Sequence, residues 1–167
     1  MKSEAYFSSP APNPMSTLMY LIHFEKIDFD KPVEITSKEL VPVPWCQKTF
    51  YTDKLISLCT VNINIPYAGN VSKNGDDNSW ISTKIVLFLD DEPIYTGQFN
   101  SHSASPLSPL FISADKPYLK KGQHNLSLKA CVAQDGMKLG IPFVDIYNIE
   151  YTIEPKNFAT IKILGFY

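Results

Sequence analysis

At 167 residues the chain is long enough for one domain with a sizeable core. Hydrophobic residues make up 44% and charged residues 19%, which are values of a globular protein and not of a disordered one. The net charge is -2, and all fifteen basic residues are lysine. The chain therefore lacks both a global basic field and the planar arginine fork that reads phosphate and guanine, and no nucleic-acid partner is expected.

Residues 1–16 are rich in Ser, Pro and Ala and carry one aromatic pair, Tyr6-Phe7. They are expected to form a flexible N-terminal arm, followed by a single domain over 17–167. The Leu18–Ile22 run is too short to span a bilayer, so no membrane insertion is expected. Thr17–Phe29 is apolar and aromatic and alternates from His23 onward, which favours a strand. Lys31-Pro32 reads as a turn and Val33–Thr36 as a short strand. Val41–Trp45 holds Pro42 and Pro44, neither of which can donate to a sheet, so this segment is an edge or a connection.

Leu55–Tyr67 alternates strongly and reads as a strand. Gly69–Ser79 reads as a loop. Its Asn, Asp and Gly content suits calcium, but no Glu closes an EF-hand spacing, and a solvated turn is expected. Trp80–Leu89 and Ile94–Phe99 read as the arms of a hairpin joined by the acidic turn Asp90-Asp91-Glu92-Pro93. Short polar residues suit a tight turn for its own hydrogen bonds, which explains Asp90 and Asp91 without chemistry. Asn100–Pro109 reads as flexible, Leu110–Ser113 as a short strand and Asp115–Pro117 as a turn.

Tyr118–Val132 starts as a basic turn and becomes a long strand. His124, Leu126, Leu128, Ala130 and Val132 fall on one face, with Asn125, Ser127, Lys129 and Cys131 on the other. Gln134–Gly136 is a turn, Pro142–Thr152 alternates, and Ala159–Tyr167 is a last apolar strand. Eight to ten strands at even spacing, with no helix of usual length, predict an all-β, antiparallel jelly-roll β-sandwich.

No catalytic constellation stands out. His124 sits on an apolar face, where a packed or interfacial role is expected. His102 lies in a Ser-rich loop with no G-x-S-x-G elbow. No phosphate-cradling glycine loop and no paired C-x-x-C metal pattern occur, so no catalytic, cofactor or metal residues are assigned and the protein is expected not to be an enzyme. Cys46, Cys59 and Cys131 read as buried free thiols, with a Cys46–Cys59 disulfide left open for an extracellular chain. Of the two glycosylation sequons, Asn70-Val71-Ser72 falls in the loop and Asn125-Leu126-Ser127 in the long strand.

The KIVLFLDDEPIY hairpin, the YLKKGQHNLSLKACV turn and strand and the terminal IKILGFY strand, in that order, resemble the C1q/TNF-like jelly roll over residues 45–167. The resemblance implies a final strand at the centre of one sheet and a homotrimer packed through aromatic and apolar residues of that sheet. It also implies no catalytic activity. Members serve in receptor binding, in adhesion and as trimeric heads of fibres or virion components, which implies an extracellular or particle-surface location. The surplus of aromatics points the same way, because exposed aromatic surface usually marks an interface. Candidate binding or interface residues are Trp80, Tyr95, His124, Tyr147, Tyr151, Phe166 and Tyr167, with loops 69–79 and 100–109 as a recognition surface for a protein or glycan receptor. The alternative is a monomeric carbohydrate-binding sandwich in which Trp45, Tyr67, Trp80 and Tyr95 stack on sugar rings.

Overall fold

The computed structural model describes residues 18–28, 33–72, 80–102, 107–141 and 158–167. The arm at 1–16, the Lys31-Pro32 turn, residues 73–79 and 103–106 of the expected loops, and the whole alternating Pro142–Thr152 segment with Tyr147 and Tyr151 lie outside them. Among the described residues ten strands run in chain order: β1 Met19–Asp28, β2 Val33–Ile35, β3 Val41–Thr52, β4 Ile56–Ser72, β5 Trp80–Leu89, β6 Glu92–His102, β7 Leu107–Leu119, β8 Gly122–Val132, β9 Met137–Ile141 and β10 Phe158–Phe166. No helix occurs among the described residues.

All pairings are antiparallel. One sheet orders its main strands β1-β10-β4-β7, with β9 and β2 extending from the far part of β4. The other orders β3-β8-β5-β6. Two four-stranded arrays in this order, with the chain crossing between the sheets after β2, β3, β4, β6, β7 and β8, make a jelly roll. The last strand, β10, lies inside its sheet between β1 and β4, and β8 lies between β3 and β5. The core between the sheets is built from the inward sides of these central strands. Val61, Ile63 and Ile65 of β4 and Ile161 and Ile163 of β10 meet Ile85 and Leu87 of β5 and Leu126, Leu128 and Ala130 of β8, all buried.

Three tight turns gather at one end. Thr52 pairs with Gly122, Ile56 pairs with Leu119, and the Asp90 amide donates to the Asn125 carbonyl. The crossings at 53–55 and 120–121 and the hairpin turn at 90–91 are therefore neighbours. The hairpin has a two-residue loop, Leu89 opposite Glu92, with positive φ at both Asp90 and Asp91, the mark of a type I′ turn. Ion pairs close both seams of the sandwich. Lys48 of β3 meets Glu25 of β1 at 2.8 Å, and Lys116 of β7 meets Glu92 of β6.

Three expectations need correction. Asp115–Pro117 is no turn: β7 continues through it to Leu119, paired with β4 throughout this stretch. Pro117 is tolerated because, among the described residues, β7 pairs only with β4 and its other edge carries no strand. The turn comes at Lys120-Lys121, after Tyr118 adopts a φ of 56°. That left-handed residue shifts the alternation, so Ala114 and Leu119 are both buried while Tyr118 is 74% exposed. The loop expected at 69–79 is strand over its first four residues, because β4 runs to Ser72 and pairs there with β9, a strand the sequence pattern did not reveal. The flexible stretch expected at 100–109 is likewise strand at both ends, in β6 to His102 and in β7 from Leu107.

Candidate functional site

The outward face of the β1-β10-β4-β7 sheet is read row by row from the register. Nearest the tight-turn end, Leu18 and Tyr167 exchange backbone hydrogen bonds of 3.3 and 3.2 Å. The next row is Met19, Phe166, Leu58, Pro117, which is apolar across all four strands. Then come Leu21, Leu164, Thr60, Asp115, followed by Phe24, Lys162, Asn62, Ser113. Met19, Leu21 and Phe24 stand 60%, 55% and 57% exposed, far more than a strand with one covered face requires. The bulge between Leu21 and His23 keeps them on one side, since it shifts the alternation so that Phe24 follows Leu21 outward.

The two sheets differ in what they show to solvent. Of the nine large hydrophobic residues that are exposed among the described residues, only Tyr51 belongs to the four-stranded sheet. Leu18, Met19, Leu21, Phe24, Leu55, Phe111, Tyr118 and Tyr167 lie on or beside the other sheet. The outward face of the four-stranded sheet presents mainly Gln47, Thr49, Asn125, Ser127, Lys129 and Lys84. A contiguous exposed apolar patch leaves surface in water whose burial would be favourable.

The corner of the patch is rigidly built. Tyr20 and Tyr167 meet edge to face with centroids 5.1 Å apart, and Lys54 Nζ sits 3.4 Å from the Tyr167 centroid and 5.2 Å from that of Tyr20. The neighbouring Tyr167 side chain, as the largest cause, raises the Lys54 ammonium pKa. Burial, followed by the charge of Asp53, pushes the Tyr20 hydroxyl up. Gly165 is required here, since a Cβ on it would come within 2.9 Å of the Tyr20 ring.

His124 is 5% exposed and faces inward. Its Nδ1 lies 2.7 Å from Asp90 Oδ2 and its Nε2 lies 2.8 Å from the Lys120 carbonyl oxygen, with Thr52 Oγ1 at 3.2 Å. Asp90 Oδ1 accepts the Asn125 amide at 2.9 Å, and the Thr52 hydroxyl donates to Lys120 O at 2.8 Å. The imidazole thus ties together all three tight turns and packs on Phe50, with centroids 5.5 Å apart. It is a packed histidine, and Asp90 of the acidic turn is engaged by these bonds.

The other candidates separate. Phe166 lies on the apolar face and Tyr167 beside it. Tyr95 is half-buried against the core, as is Trp45, so neither is an open sugar-stacking platform. Trp80 opens β5 opposite His102, at the end away from the tight turns. Asn70 is fully buried in β4, where its Nδ2 donates to the carbonyls of Ile81 and Phe99 at 3.2 and 3.1 Å, so this sequon has no room for a glycan. Cys46 and Cys59 are buried and free, their thiols pushed up to about 12 by burial, and Cys131 is free as well; the disulfide left open does not form. The residues that sequence reasoning missed are Met19, Leu21, Phe24, Leu58 and Leu164. Their signal was present, since the Leu18–Phe24 segment is apolar on both phases of the alternation.

No family model matches the chain, and no curated protein matches it. Among solved structures it is similar to dimeric latent PorU from Porphyromonas gingivalis, at 11% identity and a TM-score of 0.47. That match covers 95% of this chain and 14% of the PorU chain. It is similar to the EclA C-terminal domain, a sugar-binding protein, at 12% identity and a TM-score of 0.41, covering 100% of this chain and 99% of that one. It is also similar to a chain of the native virion of Kashmir bee virus at neutral pH, at 9% identity and a TM-score of 0.32, covering 99% and 82%. These likenesses are distant, and the jelly-roll assignment rests on the strand order itself.

Proposed function

We propose that this chain is a non-enzymatic, self-associating jelly-roll module, a homotrimer, that serves as a structural or recognition part of a virion, fibre or extracellular assembly. The observation that carries the reading is the asymmetry of the two outward faces: the β1-β10-β4-β7 face is apolar near the tight-turn end, and the four-stranded face is polar. The resemblance to the C1q/TNF-like jelly roll implies this same use of one sheet, with its final strand central. A net charge of -2 opposes association only weakly. Burial of Met19, Leu21 and Phe24 against other copies would remove their exposed area from water, at about 25 cal/mol per Å².

The test is a comparison of variants by sedimentation velocity. Leu21→Ser and Phe24→Ser should shift the assembly toward single chains, because both side chains are exposed and contribute little to the core of one copy. Tyr51→Ser, on the opposite sheet, should leave assembly unchanged. If Tyr51→Ser dissociates the protein while Leu21→Ser and Phe24→Ser do not, the wrong face has been assigned.

A further inference from the structure

The charged side chains of the apolar face specify how a second copy would meet it. Lys26 and Asp28 pair with each other at 3.1 Å, and Lys138 pairs with Glu34 at 3.2 Å. This leaves Lys162 on β10 and Asp115 on β7. Both are exposed and point outward, and neither has an ionic partner among the described residues. Asp115 accepts only the Thr60 hydroxyl, at 2.6 Å.

The two are not paired with one another within one copy. Lys162 is opposite Asn62, which is opposite Ser113, so Asp115 stands two strands away and two residues along. At ordinary strand spacing and rise that separation is roughly 12 Å between Cα atoms, with both side chains directed away from the sheet. Each also sits beside apolar surface: Lys162 between the Phe24 and Leu164 positions, Asp115 beside Pro117. A partner covering these apolar residues also covers the two charges. Burying a lone charge is costly unless an opposite charge meets it. One cation and one anion at separate points on one face make that face complementary to itself.

We infer that the occupant is a second copy of this chain, and that the β1/β10 flank of one copy meets the β7 flank of the next through a Lys162–Asp115 ion pair between copies. The inference rests on the self-association reading. It goes beyond that reading by fixing the pairing of flanks, because a contact of β1 with β1 would bring Lys162 to Lys162.

Charge reversal tests it on the full chain. Lys162→Glu and Asp115→Lys should each raise the apparent dissociation constant, read by sedimentation velocity and native mass spectrometry, by at least about tenfold. The double variant carrying both changes should return to within about threefold of the wild type. Asp115→Asn and Lys162→Gln supply a second cycle that keeps the Thr60 contact: each should weaken assembly, and the pair together should be no weaker than either alone. Single reversals that assemble like the wild type, or a double reversal no better than the worse single, would overturn the pairing while leaving self-association standing. A wild-type chain that stays single at every concentration overturns both.

Discussion

Removing the Asp90 carboxylate should destabilise the fold through two separate causes. The first is loss of an acceptor. His124 is buried, and Asp90→Ala leaves its Nδ1, now 2.7 Å from Oδ2, facing an empty site. A stranded buried polar group costs about 1–3 kcal/mol. The Asn125 amide also loses its 2.9 Å bond, but it lies at the surface, where water replaces most of that contact. The second cause is backbone strain. Asp90 has φ 51°, a left-handed conformation that Asp tolerates and that costs alanine about 1 kcal/mol or more. Together Asp90→Ala should lose about 2–4 kcal/mol, which for a domain of this size is roughly 5–15 °C in melting temperature. Asp90→Gly removes the acceptor and relieves the strain, so it should lose less than alanine. Asp90→Asn keeps an oxygen and the tolerance of positive φ, and should lose the least, about 1 kcal/mol. The assay is urea and thermal unfolding of all three at one fixed protein concentration, because association would otherwise change the midpoint. Alanine within about 0.5 kcal/mol of the wild type, or glycine as harmful as alanine, would refute the two-cause account.

Other consequences follow from the same structure. Burial pushes the Glu25 carboxyl pKa up, but its hydrogen bonds with Lys48 and His23 and their charges outweigh burial and hold it below its usual 4.5. A depressed carboxyl contributes stability above its unfolded value and loses it as pH falls through the folded one. The wild type should therefore lose more stability than Glu25→Gln between about pH 5 and pH 3, measured as the melting temperature against pH; equal slopes would contradict the seam. Cys46 and Cys59, with thiols near 12, should resist maleimide in the folded protein and react only in denaturant, while Cys131 labels first; mass spectrometry after timed labelling reads this directly. Asn70→Ala removes two bonds to the β5 and β6 carbonyls and should cost about 1–3 kcal/mol in urea unfolding, more than a surface asparagine such as Asn100.

The sheet was largely legible because strand alternation is a local signal. In β8 the inward set His124, Leu126, Leu128, Ala130 and Val132 came directly from the period of two, and β5 was bounded at Trp80 and Leu89 as observed. Segments failed where pairing overrode composition. Asp115–Pro117 has turn residues, yet β4 holds it in the sheet, and the phase change at Tyr118 depends on a backbone angle that residue type does not announce. Asn70 looked like a loop residue and is buried because two carbonyls of the opposing sheet lie within reach of its amide. The apolar face was less legible than the fold. Which of two apolar phases in Leu18–Phe24 lies on the core depends on the bulge at 21–23 and on the neighbours β10 and β3, and these are tertiary facts. His124 illustrates the same limit. Its face was readable, but its bonds to Asp90, Lys120 and Thr52 join three turns that are distant in sequence.

In the proposed assembly the apolar face of the β1-β10-β4-β7 sheet is covered by other copies of this chain. Sedimentation equilibrium of the wild-type chain over a range of micromolar concentrations tests it most directly. The expected result is a mass three times the 18.8 kDa of one chain, falling toward 18.8 kDa only on dilution. A constant mass of 18.8 kDa across the range would contradict it.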